Sequence, residues 1–293
     1  MAETRIPDRF DFLSGRDDNG HKNTFGTATI IAGSEYMTGA AVLAAGSALR
    51  SGCGLVRVFS EEKTLDAVRA NLPCALLAPR DGSEAETIRV LDSFCKAEGA
   101  MLIGPGMPPE DPYLKLALDY ALRNAPHLVL DAGALTAMAR NKEYYYGPLR
   151  DRKDPAILTP HVGEFARLVG LDMRALTEEE TVKAVSDFAI SNNCNVVFKC
   201  SNSRVATKEG SNYYIGGEFA NSGLAKGGSG DVLSGLVTGL LAQFGQIPEE
   251  VCQASVRIHS LAGRLAADKY GEYAMMPSDI AEFFPEAFRQ VIG

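Results

Sequence analysis

TATIIAGSEYMTGAAVLAAGSALRSGCGLVRVFS, residues 27–60, decides the fold. Residues 27–32 and 55–60 are short, β-rich apolar runs, and residues 39–50 between them follow a helical pattern that Gly52 stops. Strand, helix and strand in so short a span make a βαβ unit, the building block of a mainly parallel sheet. Outward from this unit the alternation continues. Residues 100–103, 127–130, 156–159 and 195–199 read as strands, several of them apolar throughout, as expected where helices cover both faces. Helical patterns cover 112–123, 178–191 behind the cap Thr177, 231–243, 249–270 and 279–291, with Pro248 and Ser278 at the starts of the last two. Residues 205–207 and 213–215 flank the turn segment KEGSN at 208–212 and form a predicted β-hairpin. No Pro/Ser linker or abrupt change of charge divides the chain. The expectation is one α/β domain over 1–293, with 1–20 as an N-terminal extension.

The 293 residues are 46% hydrophobic and 23% charged, with 29 Gly and 14 Pro, which excludes collagen, coiled coil and wholesale disorder. A net charge of −8 repels polyanions such as nucleic acid or an anionic membrane, so any phosphate ligand needs a local grip. The six cysteines form no CxxC pair, which argues against a zinc site or a disulfide framework. The first 14 residues lack the apolar core of a signal peptide, and no window reaches the roughly 18 apolar residues of a membrane span. A cytoplasmic location is expected.

The sharpest local feature is AKGGSGD at 225–231, running into the apolar helix VLSGLV. Gly227, Gly228, Ser229 and Gly230 let the backbone turn tightly and aim successive amides into one concavity at the positive end of a helix dipole. An acid beside bound phosphates adds repulsion, so the natural use of Asp231 is as a base that takes a proton from an attacking hydroxyl. The bland alternative is a flexible loop with Asp231 as a helix cap. The spacing matches neither GxxxxGK[ST] nor GxGxxG.

Other polar groups fall at strand ends, where open α/β sheets bind ligands. IGPG at 103–106 lines one with glycine, and Asp131 closes the next. TPHVGE at 159–164 places His161 and Glu164 three apart at a helix start. His161 can donate to a polar substrate and Glu164 can orient a metal-bound water, although a plain helix start also explains both. Lys199 precedes Cys200, Ser201, Asn202 and Ser203, a polar segment able to touch a nucleotide. Gly39, Ala40 and Ala41 keep the entry to the first helix small, for ligand approach or for close packing. Tyr144, Tyr145 and Tyr146 read as a packing or subunit patch.

HKNTFG (21–26), AGSEYMTGAA (32–41), IGPG (103–106), LDAGAL (130–135), LTPHVGE (158–164) and NSGLAKGGSGD (221–231) occur in this order. Together they resemble the ADP-dependent NAD(P)H-hydrate dehydratase family, a branch with the ribokinase-like fold, over residues 21–285. The resemblance implies a three-layer sandwich and an enzyme that uses ADP or ATP, with Mg²⁺, to expel water from the S epimer of hydrated NADH or NADPH. It implies Asp231 as the catalytic carboxylate and Gly227 to Gly230 at the phosphates. Lys199, Cys200, Ser201, Asn202 and Ser203 would contact the nucleotide. Ala40, Ala41, Gly106, Asp131, His161 and Asn221 would line the substrate site, with Glu164 toward the metal. Many members have a second Asp where this chain has Gly133, Lys-Gly where it has Lys199-Cys200, and Thr-Gly-Asn where it has Phe219-Ala220-Asn221. Bifunctional relatives carry an epimerase domain ahead of this one, for which this chain is too short at its N-terminus, so the expectation is action on the S epimer alone or with a separate epimerase as partner. A homo-oligomer, a tetramer by the same resemblance, is expected.

Two other functions share these residues. A small-molecule kinase of the same fold would use the same base and release a stable phosphoester. A silent nucleotide sensor would need the glycine turn but gain nothing from Asp231.

Overall fold

The computed structural model describes residues 2–80, 82–97 and 99–293. Ten strands form one sheet: β1 (Thr4–Arg5), β2 (Thr27–Ile31), β3 (Leu55–Ser60), β4 (Leu76–Pro79), β5 (Gly99–Ile103), β6 (His127–Leu130), β7 (Ala156–Leu158), β8 (Cys194–Phe198), β9 (Arg204–Ala206) and β10 (Asn212–Tyr214). Their order is β1-β10-β9-β8-β7-β6-β5-β2-β3-β4, and β9 alone runs against its neighbours. The predicted hairpin is the β9–β10 pair, with Tyr213 opposite Val205.

Twelve helices cover the two faces: α1 (Thr38–Arg50), α2 (Glu62–Asn71), α3 (Glu84–Lys96), α4 (Pro112–Asn124), α5 (Gly133–Arg140), α6 (Lys142–Arg150), α7 (Val162–Val169), α8 (Glu178–Ser191), α9 (Ser229–Leu241), α10 (Pro248–Tyr270), α11 (Pro277–Glu282) and α12 (Phe284–Val291). Side chains alternate across each strand, so the sheet separates two cores. Ala28, Ile30, Ala100, Leu102 and Val129 pack with α1, α2 and α9 to α12. Ile31, Met101, Ile103, Leu128 and Leu130 pack with α3 to α8. This is the expected α/β three-layer sandwich. Among the described residues no helix is long and apolar enough to cross a membrane.

The predicted helix over 279–291 is two helices, α11 and α12, divided at Phe283. Pro285 is the cause: it has no N–H to give the Ala281 carbonyl and its ring crowds that oxygen. Helix α8 starts where expected, closed by a capping box in which Thr177 Oγ1 accepts from Glu180 N and Glu180 accepts from Thr177 N. Of the three tyrosines, Tyr145 is buried and Tyr146 donates to the Leu168 carbonyl at 2.7 Å, so the run mainly packs α6.

Helices α1 and α9 are pressed backbone to backbone. A Cβ at Gly235 would lie 2.2 Å from the Ala44 carbonyl oxygen, and one at Gly239 would lie 2.1 Å from Ser51 Oγ. Ser47 Oγ donates to the Val232 carbonyl at 2.5 Å across the same seam. The N-terminal extension also joins the fold. Ile6 N donates to the Tyr214 carbonyl at 2.9 Å, Ile6 and Phe10 are buried, and Phe10 N donates to the Val291 carbonyl at 2.8 Å.

Candidate active site

Backbone hydrogen bonds stitch the loops beyond the carboxyl ends of the parallel strands into one rim. Gly104 N donates to Ile31 O, Gly33 N to Pro105 O, Asp131 N to Ile103 O, Thr159 N to Leu130 O and Lys199 N to Pro160 O, all at 2.7–3.1 Å. Gly104 has a φ of +121°, and a Cβ there would lie 2.0 Å from the Asp131 carbonyl oxygen, so this stitch requires glycine. The rim brings together residues that the sequence places at separate strand ends.

Helix α9 begins on this rim without a side-chain cap. Gly228 has a φ of 109°, which turns the chain into the helix; Ser229 N is taken by the Lys226 carbonyl at 3.2 Å, which leaves the amides of Gly227, Gly228 and Gly230 for a ligand. A Cβ at Gly227 would meet nothing within 4 Å, so the space above the turn is open to an anion. Below the turn, buried His259 on α10 bonds the Ser229 carbonyl through Nε2 at 3.0 Å. A carbonyl only accepts, so Nε2 carries the proton. Burial, aided by the charge of Lys199, drives the pKa of His259 down to about 4 against the pull of that hydrogen bond, which keeps the ring neutral at physiological pH. His259 escaped the sequence reading, because a histidine inside a long helix with small apolar neighbours carries no local sign of its partner.

The charged centre has four groups. Lys199 Nζ donates to Asp131 Oδ1 at 2.8 Å, with Asp131 1% exposed, and would lie 3.1 Å from a Cβ at Gly230. Burial opposes the charge of Lys199, yet Asp131, Glu164 and Asp231 together hold its pKa above the ordinary lysine value. Asp231 is half-buried at the start of α9; its backbone carbonyl accepts from Ser234 Oγ at 3.3 Å, while its carboxylate accepts no hydrogen bond among the described residues. Burial first, then the negative charges of Asp131 and Glu164, raise its pKa to about 7 against the pull of Lys199. A carboxylate with that pKa is matched to proton abstraction near neutral pH.

Other expected residues differ in role. His161 is exposed and caps α7: Nδ1 accepts from Gly163 N at 2.9 Å and Glu164 N at 3.3 Å, while Glu164 Oε2 accepts from His161 N at 2.8 Å. Acceptance at Nδ1 puts the ring proton on Nε2, which lies 3.6 Å from Glu164 Oε1. This is the plain helix start weighed above. Among the described residues no group of three or more His, Cys, Asp or Glu is placed to hold a metal ion.

Ala40 is half-exposed and faces Gly106, whose Cβ would lie 2.6 Å from that of Ala40. Ala41 is fully buried behind Gly33, so only its neighbour reaches the rim. Asp131 lies beneath the surface and acts through Lys199. Asn221 has both ends of its amide engaged, Nδ2 with the Gly263 carbonyl at 2.7 Å and Oδ1 with Gly223 N at 2.8 Å, so it holds a turn.

The 199–203 segment closes on itself. Cys200 Sγ donates to the Asn202 carbonyl at 3.0 Å, Ser203 Oγ donates to the Cys200 carbonyl at 3.0 Å, and Asn202 Oδ1 accepts from Gly216 N at 3.0 Å. Ser201 alone is exposed there. Burial holds the Cys200 thiol above its ordinary pKa, so it is no nucleophile. Behind the segment, Arg204 donates to the Asn202 carbonyl at 3.1 Å and to Glu3 at 2.9 Å.

A cavity of about 610 Å³ lies elsewhere, lined by Tyr113, Leu116, Asp119, Tyr144 and Tyr145. It holds none of the residues above; converging charge and open amides, not volume, locate the site.

The family model for NAD(P)H-hydrate dehydratase matches residues 28–286. The chain is 34% identical over 273 residues to an ADP-dependent (S)-NAD(P)H-hydrate dehydratase of Lactococcus lactis, covering 93% of each chain. It is also 30% identical to a bifunctional NAD(P)H-hydrate repair enzyme of Thermofilum pendens, covering 94% of this chain and 52% of that one. The crystal structure of the ADP/ATP-dependent NAD(P)H-hydrate dehydratase of Bacillus subtilis, co-crystallised with ATP/Mg²⁺, superposes with a TM-score of 0.78 at 28% identity, covering 94% and 93%. A ribokinase-like superfamily protein of Enterococcus faecalis superposes at 0.81 and 24% identity over 99% and 96%, which shows the fold.

Proposed function

This chain belongs to the NAD(P)H-hydrate dehydratase family, and from that premise we infer how its own residues carry out the dehydration of hydrated NADH and NADPH. The observation that carries the reading is the unpaired Asp231 carboxylate, with a pKa near 7, at the mouth of an uncapped glycine turn.

Hydroxide is a poor leaving group, so the hydrated ring needs its hydroxyl converted into phosphate. Asp231 takes the proton of that hydroxyl, and the oxygen attacks the terminal phosphorus of the nucleotide. The bond from that phosphorus to its bridging oxygen breaks, and AMP leaves when ADP is the donor. The amides of Gly227, Gly228 and Gly230 and the Lys199 ammonium balance the charge that develops on the phosphoryl oxygens. The ring nitrogen lone pair then expels phosphate, and loss of a proton from the adjacent carbon restores the double bond.

Ala40 and Gly106 line the substrate side, with the exposed ring of His161 as a further contact. The backbone of 199–203 and the Ser201 hydroxyl face the nucleotide. Three carboxylates around one lysine leave an excess of negative charge, which suits a divalent cation bridging phosphates. Glu164 is the residue that would hold Mg²⁺ through water, and the ion would neutralise phosphate charge.

Residues 1–293 act as one domain on the S epimer, with ADP as donor, in a cytoplasmic homo-oligomer. Incubation with ADP or ATP and S-hydrated NADPH is expected to restore nicotinamide absorbance with one phosphate per turnover. Asp231→Asn is expected to lower that turnover by about 10²- to 10⁴-fold while nucleotide still binds. A stable phosphorylated alcohol would instead identify a kinase, and near-normal turnover in the variant would remove Asp231 from the chemistry.

A further inference from the structure

Lys226 immediately precedes the glycine turn, and its side chain points away from the four-group charged centre. Its Nζ donates to three backbone carbonyls of one short segment: Met275 at 2.5 Å, Tyr273 at 2.8 Å and Glu272 at 3.3 Å. Three carbonyl dipoles aimed at one point repel one another unless a cation sits among them, and converging backbone carbonyls are how proteins hold dehydrated monovalent ions. An ammonium has three protons and no acceptor, which matches three carbonyls.

The segment that supplies them joins α10 to α11 and lies against the phosphate turn. A Cβ at Gly228 would meet the Pro277 ring at 3.1–3.2 Å, and one at Gly223 would meet Met275 Sδ at 2.2 Å. Lys226 also accepts from Ser229 N at 3.2 Å through its own carbonyl. One residue thus ties the anion turn to the loop beside it and brings a positive charge to the turn.

We propose that Lys226 is a built-in monovalent cation: its ammonium fills a carbonyl cage that would otherwise take K⁺ or NH₄⁺, so this chain needs neither ion. The activity readout rests on the phosphoryl-transfer reading of the turn, whereas the stability readout does not.

The test compares the full chain with Lys226→Ala and Lys226→Met in chlorides of Na⁺, K⁺, NH₄⁺ and tetramethylammonium at equal ionic strength. Wild-type turnover and Tm are expected to be the same in all four salts. Lys226→Ala is expected to lose about tenfold in turnover and to fall in Tm, with both restored by K⁺ or NH₄⁺ but not by tetramethylammonium. Lys226→Met, whose side chain still fills the cage, is expected to resist rescue. Activation of the wild type by K⁺, or a Lys226→Ala protein of unaltered Tm, or one that no small cation stabilises, overturns the proposal. If no salt supports turnover even in the wild type, the functional reading has failed and the Tm series still decides the cage.

Discussion

Asp231 sits in a balance set by three neighbours. Its pKa, raised from the ordinary 3.8 to about 7, means that the folded chain holds this proton more tightly than the unfolded one. The stability this gives is fully present below about pH 3.8 and is lost as pH rises through about 7. An ionised Asp231 is therefore a burden on the fold in the pH range where the proposed mechanism uses it as a base. The Tm advantage of Asp231→Asn over the wild type is expected to grow between about pH 5 and about pH 8, reaching a few degrees. The wild-type kcat/KM is expected to rise over the same range with an apparent pKa near 7. Thermal melts and initial rates at several pH values check both. An advantage that does not change with pH would show that the carboxylate is solvated and unperturbed.

Elements were legible where their signals are local. The first strand–helix–strand unit, the Thr177 capping box and the glycine turn before α9 each lie within a few residues, and each forms where its pattern places it. Asp131 and Lys199 are 68 positions apart, and nothing near either one announces the other. The same holds for His259 beneath Ser229, for Lys226 at the 272–275 carbonyls and for the engaged amide of Asn221. The 279–291 pattern concealed a break because its apolar period continues through Pro285.

Gly133 shows how context can reverse propensity. As the first residue of α5 it would gain from a Cβ by intrinsic preference. Here that Cβ would lie 2.1 Å from the Met107 carbonyl oxygen. Gly133→Ala is expected to destabilise by about 1–3 kcal/mol through displacement of the 104–107 loop, and Gly133→Asp by more. Urea unfolding checks the sign. A stabilised Ala variant would mean that the loop yields freely.

Across the whole molecule, the N-terminal segment reaches the 199–203 side of the rim from the far edge of the sheet. Glu3 holds Arg204, Arg5 pairs with Glu218, and Asp8 pairs with Arg257 at 2.7 Å. Arg204 in turn supports the Asn202 carbonyl. Removal of residues 2–5 is expected to raise KM for the nucleotide several-fold while KM for the hydrated dinucleotide stays constant, as measured by steady-state kinetics with each substrate varied. An equal rise in both constants would indicate general loosening of the sheet edge.

The glycine seam between α1 and α9 has a mechanical consequence. The dinucleotide would dock at the start of one helix and the phosphoryl donor at the start of the other, and with their backbones in direct contact the two platforms cannot swing apart. Neither helix can then act as a jaw that swings away from the other. Any adjustment to a particular coenzyme falls to the short rims that carry the exposed Tyr36 and Tyr273.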